Sequence, residues 1–204
     1  MEKMSVYKSK ILILDACVRK EQSRTKRLLD YAVKIYEKTH EEAEMKHLVL
    51  EEMPLSYHTC KSLAERDRLL QKGQMDHPRF DLAHEFAQAD GIIVAAPFWD
   101  MGIPAVLKVY LENISVEGIT FGCNEKGLYG LCGAKWMLYL STRGSICGGT
   151  PLEQGTPYLA ALCDLFGIPK LESVSAEGLD IFGIDVGAKL AEAEEKICDI
   201  CTKI

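Results

Sequence analysis

A chain of 204 residues, 48% of them hydrophobic and 26% charged, is long enough to bury a core of its own, and a single domain spanning 1–204 is expected. A formal charge of −6, with no basic stripe beyond local clusters, argues against a partner held through its phosphate backbone, so no nucleic acid is expected. No apolar run reaches bilayer length, and "MEKMSVYKSKILIL" lacks a secretory-signal pattern, which predicts a cytoplasmic protein with no membrane partner.

The first element is "KILILDA" (10–16), a short apolar run behind a polar leader, read as a buried strand. "SRTKRLLDYAVKIYEKT" (23–39) places Leu28, Leu29, Ala32, Val33, Ile35 and Tyr36 at helical spacing behind Ser23 as N-cap. "EMKHLVLE" (44–51) is a second strand. A polar stretch from Glu52 to His77 follows, helical over about Cys60 to Lys72. "PRFDLAHEFAQA" (78–89) is a helix with Pro78 at its start, and "DGIIVAAP" (90–97) is the most hydrophobic strand. In "IPAVLKVYLENI" (103–114), Ile103, Val106, Leu107, Tyr110, Leu111 and Ile114 form one apolar helix face, with Pro104 in the first turn. The glycine-rich "VEGITFGCNEKGLYGLCG" (116–133) is irregular, with short extended pieces. The fourth strand is "AKWMLYLST" (134–142). After the loop 143–157 come the helix "YLAALCDLFG" (158–167), the fifth strand "KLESVSAEG" (170–178) and the closing helix 185–204.

Strands that alternate with helices imply a parallel sheet covered by helices on both faces. Ligands of such sheets bind beyond the carboxyl ends of the strands. Three loops lie there: 16–22, 98–102 and 143–149.

The first, "ACVRKEQSRTKR" (16–27), has no glycine, since the first in the chain is Gly73. This excludes both the dinucleotide-binding fingerprint and the P-loop, which need glycine for close backbone approach. A helix N-terminus remains, with Ser23 and Thr25 as hydroxyl donors and Arg19, Lys20, Arg24 and Lys26 as local charge, suited to a phosphate. An N-capped surface helix with a solvated basic face explains the same residues. In the second loop Pro97 ends the strand, and Phe98, Trp99 and Met101 offer apolar walls to a flat ring. They serve equally well to pack against a neighbouring loop or subunit. In the third, Thr142, Arg143 and Ser145 stand with Gly144, which admits close backbone approach; a flexible glycine loop is the alternative. A phosphate at the first loop and an aromatic ring between the other two describe flavin mononucleotide (FMN). The matching architecture is a flavodoxin-like three-layer sandwich with a five-stranded parallel sheet in the order 2-1-3-4-5.

The sequence also resembles a known family, the FMN-dependent NADH:quinone oxidoreductases or azoreductases among the flavodoxin-like quinone reductases. The resemblance covers nearly the whole chain. It rests on "KILILDA" with "SRTKRLL", on "AAPFWDMGIPAVLKVYLENI", on "GITFGCNEKGLYGL", on "STRGS" and on "AEGLD" (176–180). It implies that Ser23, Arg24 and Thr25 hold the FMN phosphate, that Phe98, Trp99, Asp100 and Met101 lie at the flavin ring, and that Thr142, Arg143, Gly144 and Ser145 line its other edge. Ala16 and Cys17 fall where the family carries a serine that contacts the cofactor. Trp99 and Asp100 replace a tyrosine and an asparagine, Ser145 replaces a glycine, and Cys123 replaces an aromatic residue. An asparagine can donate a hydrogen bond, whereas an ionised aspartate only accepts.

The resemblance further implies a ping-pong reaction. NADH or NADPH reduces the flavin, and a quinone, azo or nitro aromatic acceptor then takes the two electrons. It also implies a homodimer with the active site near the subunit interface. A flavin-binding electron carrier or redox sensor without its own substrate, and a module that kept the fold but lost FMN, are the rival readings. The glycine-rich excursion 116–133 favours an enzyme, since a carrier has less reason to build a lid. None of the five histidines falls in the three loops or at a metal-binding spacing. The eight cysteines, "CDIC" (198–201) included, read as reduced thiols.

Overall fold

The computed structural model describes residues 8–204; the reading of the N-terminal leader falls on 1–7 and lies outside them. Its elements run β1 (Lys10–Asp15), α1 (Arg24–Thr39), β2 (Glu44–Val49), α2 (Cys60–Gln71), α3 (Asp81–Ala87), β3 (Gly91–Ala95) and α4 (Ala105–Ile114). Then come β4 (Phe121–Asn124), β5 (Gly127–Gly130), β6 (Trp136–Thr142), α5 (Gly155–Phe166), β7 (Leu171–Ala176) and α6 (Val186–Cys201). Five strands pair in parallel in the order β2-β1-β3-β6-β7, which is the expected 2-1-3-4-5 once the separate β4–β5 hairpin is set aside.

The central strands β1, β3 and β6 are unbroken apolar runs because both of their faces are covered. Alternation assigns Leu12, Leu14, Ile92, Val94, Met137 and Tyr139 to one face, packed under α3, α4 and α5. Ile11, Ile13, Ile93, Ala95, Leu138 and Leu140 face α1 and α6. On the first face Phe86 sits between the rings of Tyr110 and Phe166, with centroids 6.5 and 5.2 Å away. The edge strand β2 is largely polar, with Lys46 paired to Glu85, a composition that discourages addition of a further strand.

Several boundaries differ from the sequence reading, each for a local reason. α5 starts three residues earlier, at Gly155, and takes Pro157 into its first turn, where a missing N–H costs nothing. Glu153 Oε1 accepts from the N–H of Thr156 and closes that end at 3.0 Å. Pro104 is the N-cap of α4 and not its first helical residue. The segment 78–89 opens with a 3-10 turn at Pro78–Phe80, capped by His77, before α3 begins.

The excursion 116–133 is a two-stranded antiparallel hairpin, β4–β5, that docks on the end of α5. The N–H of Cys132 donates to the Phe166 carbonyl at 3.1 Å, and a Cβ on Gly130 would run into the backbone of Phe166 and Gly167. Gly167 has φ 76° and ends α5 in the left-handed conformation that glycine allows. Gly130→Ala is therefore expected to push hairpin and helix apart and to lower the unfolding free energy by about 2 kcal/mol, as overpacking does. The urea midpoint measures it, and an unchanged midpoint would show that the contact is not tight.

Candidate functional site

A cleft of about 330 Å³ opens at the carboxyl end of the sheet, where the loops after β1, β3, β6 and β7 meet. A second cavity, about 370 Å³, lies at the opposite end beside Lys10 and Glu44, the first residues of β1 and β2. In parallel α/β sheets the carboxyl end is the one that binds ligands.

The first wall is made by Arg19, Gln22, Ser23 and Arg24. A 3-10 turn over Lys20–Gln22 leads into Ser23, the N-cap of α1, whose Oγ accepts from the N–H of Lys26 at 3.3 Å. The helix offers no carbonyl to the N–H groups of Arg24 and Thr25, which point out of its positive end. Thr25 is fully buried and does not line the cleft; its Oγ1 lies 2.7 Å from Thr142 Oγ1 and ties α1 to the end of β6. Ala16 and Cys17 are also buried away from the cleft, in the two cores on opposite faces of the sheet. Burial, then the charge of Asp15, pushes the Cys17 thiol far above the usual range, so it stays protonated.

Asp15 itself is buried at the end of β1. Its carboxylate accepts from the N–H of Cys17 at 2.9 Å, meets His47 Nε2 at 3.2 Å and has Lys26 Nζ at 3.9 Å. Burial works to raise its pKa, but the bonds with His47 and Cys17 and the Lys26 charge outweigh it and hold the group below the usual carboxylate range.

The second wall is Pro97, Phe98 and Trp99. The N–H of Phe98 donates to the Thr142 carbonyl at 3.2 Å. Trp99 and Gly102 exchange two backbone hydrogen bonds, of 3.2 and 2.8 Å, around Asp100 and Met101, which have φ 47° and 65°. A two-residue hairpin turn with both central residues left-handed ordinarily takes Asn-Gly or Asp-Gly. Asp100 thus has a backbone reason to be there, since aspartate and asparagine tolerate this region better than other side chains. Met101 has no such reason and is held in strain. Both are exposed on the turn and do not line the cleft, while Trp99 does, at 40% exposure.

The third wall is Thr142, Arg143 and Gly144. Arg143 is only 3% exposed and lies between two carboxylates, with Nη2 3.2 Å from Glu153 and Nη1 2.8 Å from Glu177. Its guanidinium also stacks over Phe98, 5.2 Å from the ring centroid. Glu177 further accepts from the N–H groups of Cys147 and Gly148 and from Ser175 Oγ. Burial would raise its pKa, but these donors and Arg143 hold it below the usual range. The sequence reading offered Arg143 to a ligand; its charge is instead matched by two internal acids, and Arg143 Nε, Ser141 Oγ and Tyr139 OH remain unpartnered among the described residues. Ser145 is exposed outside the cleft, and its carbonyl accepts from the N–H of Gly178 at 3.1 Å.

Leu179 and Asp180, after β7, form a fourth wall that the three-loop reading omitted. Their N–H groups donate to the carbonyls of Arg143 and Gly144 at 3.1 and 3.0 Å. "AEGLD", which ends a parallel strand and carries Gly178 at φ 76°, was the available signal. Gln22 was not singled out either, and nothing distinguishes it in the sequence.

A family model described as the flavodoxin-like fold matches residues 9–200. An FMN-dependent NADH:quinone oxidoreductase of Clostridium perfringens is 32% identical over 196 residues, covering 96% of this chain and 99% of the relative. Another of that name, from Lachnoclostridium phytofermentans, is 32% identical over 189 residues, with 92% and 96% covered.

The chain belongs to the FMN-dependent NADH:quinone oxidoreductase family.

Solved structures agree on the fold. An azoreductase from Bacillus anthracis str. Sterne superposes with a TM-score of 0.86 at 24% identity, over 96% of this chain and all of the other. An FMN-dependent NADH-azoreductase from Bacillus anthracis str. Ames Ancestor, in complex with FMN, gives 0.83 at 19% identity, with 97% and 99% covered.

Two outcomes follow from the geometry of this family member. Met101→Gly relieves the left-handed strain and is expected to raise the unfolding free energy by about 1 kcal/mol in a urea titration; a loss of stability would mean that the Met101 side chain contributes more than its backbone costs. Asp15, with its lowered folded pKa, binds fewer protons folded than unfolded near pH 4. Its contribution is therefore present above the unfolded value and lost as pH falls through the folded one. Thermal midpoints of Asp15→Asn should fall less steeply below pH 4 than those of the native chain, and parallel acid limbs would refute this.

Proposed function

We propose that this chain is an FMN-dependent oxidoreductase that transfers two electrons from NADH or NADPH to a quinone or to an azo or nitro aromatic compound in a ping-pong reaction. The observation that carries the reading is end-to-end similarity to the curated FMN-dependent NADH:quinone oxidoreductases, in a chain whose strand ends assemble a phosphate-suited helix start beside an aromatic wall.

The residues fit FMN. The free N–H groups of Arg24 and Thr25, with Ser23, Arg19 and Arg24, suit the phosphate. Phe98 and Trp99 on one side, and the backbone of Thr142–Gly144 on the other, flank the ring. Ala16, Cys17, Asp100, Met101 and Ser145 contribute through backbone position, and Thr25 through its tie to Thr142. Bound there, FMN would take a hydride from the nicotinamide and supply electrons to the acceptor. The chain's own work is to orient the ring, exclude water and bring both substrates in turn to one face. The whole chain, 1–204, acts as one domain.

We assign the uncovered side of the cleft to a second copy of the chain. Trp99 lines the cleft and is exposed, as are Met101 beside it and Ile146, Leu152 and Phe182 in the loops that follow β6 and β7, with Phe182 fully so, which supports a homodimer with its sites at the interface. Eight unbonded cysteines suit the cytoplasm.

The test is spectroscopic. Purified protein is expected to be yellow, to bleach on anaerobic addition of NADH or NADPH, and to recolour when a quinone is added. A colourless chain that takes up no FMN refutes the reading, and a yellow one that neither nicotinamide bleaches is an electron carrier.

A further inference from the structure

An ion pair crosses the mouth of the cleft. Arg24 Nη1 lies 2.8 Å from Asp180 Oδ1, so the first turn of α1 is joined to the loop after β7. The backbone of Asp180 is held at this place, while its side chain is largely exposed. Its N–H donates to the Gly144 carbonyl, the neighbouring Leu179 N–H donates to Arg143, and a Cβ on Gly144 would collide with the Asp180 carboxylate. The absence of a side chain at Gly144 thus makes room for the acid. Across from it stand the unpaired N–H groups that begin α1 and the charge of Arg19, a donor set suited to an anion. The carboxylate takes one member of that set, the Arg24 guanidinium, for itself.

We propose that Asp180 is an internal competitor of the cofactor phosphate. It holds Arg24 in the cofactor-free chain and yields it when a phosphate enters, and so sets how strongly the site distinguishes a phosphorylated flavin from an unphosphorylated one. This rests on the flavin reading above. A phosphate monoester carries nearly two negative charges at neutral pH and several acceptor oxygens, so it displaces a single carboxylate from the guanidinium. The phosphate competes with the carboxylate for the guanidinium, and the carboxylate remains close to the incoming charge. Both effects weaken FMN and leave riboflavin, which has no phosphate, untouched. The pair is partly exposed, with side chains 43% and 71% accessible, so its influence is modest and screened by salt.

The test uses the full-length protein stripped of flavin and titrated by quenching of flavin fluorescence. Asp180→Asn is expected to tighten FMN by about two- to fivefold, the range of one exposed ion pair, with the gain shrinking as salt is added. Riboflavin affinity should stay the same. In an Arg24→Gln background the Asp180→Asn gain should be smaller than with Arg24 present. Weaker FMN binding in Asp180→Asn would show that the acid orients Arg24 for the phosphate, and would overturn the proposal. Equal changes for FMN and riboflavin, or an undiminished gain without Arg24, would overturn it as well. Failure of the native chain to bind FMN would instead remove the flavin reading on which the proposal rests.

Discussion

Arg143 is the charge around which this cleft is assembled. It leaves the end of β6 and is held by Glu153, which also caps α5, and by Glu177, at the end of β7, which also gathers the N–H groups of the loop between. One buried cation therefore ties two strand ends, a helix start and a glycine loop together. Ions this deep are costly to bury, and the cost is offset here by Glu177, which accepts hydrogen bonds on both oxygens, and by Glu153, whose Oε1 meets both Arg143 and the N–H of Thr156. Removing either partner from such a group commonly costs about 3–5 kcal/mol, because a charge is left behind. The guanidinium's face lies on Phe98, so the aromatic wall is registered against the same anchor. The flavodoxin-like frame brings the four loops to one end, and this cluster gives them fixed relative positions.

The sequence carried the layout well because the layout depends on periodicity. "KILIL", "GIIVA" and "WMLYL" are apolar without alternation, which only a strand covered on both faces permits, and the helix stripe of 103–114 is unbroken. Ser23 reads as an N-cap and is one. The buried acids were not legible. Glu153 and Glu177 stand ten and thirty-four residues beyond Arg143, and nothing local marks either as its partner. The turn at Asp100 and Met101 was hidden for a similar reason, since neither residue is the glycine that announces a left-handed position. Asp100 reads from the sequence as a substitution at a flavin contact, and its left-handed backbone gives it a second reason to be there.

The cysteines show how little a spacing says without its surroundings. "CDIC" has the form of a redox pair, yet Cys201 is fully buried against α1, burial raises its thiol to about 12, and both thiols are unbonded. The histidines are similarly ordinary: His47 serves Asp15, and His84 meets the Met75 carbonyl at 2.9 Å. Among the described residues no group of three or more acids, histidines and cysteines is arranged to hold a metal ion.

Cys17 bears on how a chain of a quinone oxidoreductase family keeps a thiol away from electrophiles. A quinone is an electrophile that adds to thiolates, so a reactive cysteine beside a cleft that receives quinones is open to arylation. Cys17 follows the end of β1, but its sulfur is directed into the core within 3.8 Å of the Ala95 carbonyl and kept protonated. With neither access nor thiolate, Cys17 offers such an electrophile no point of attack, although it lies only a few residues along the chain from the first wall of the cleft.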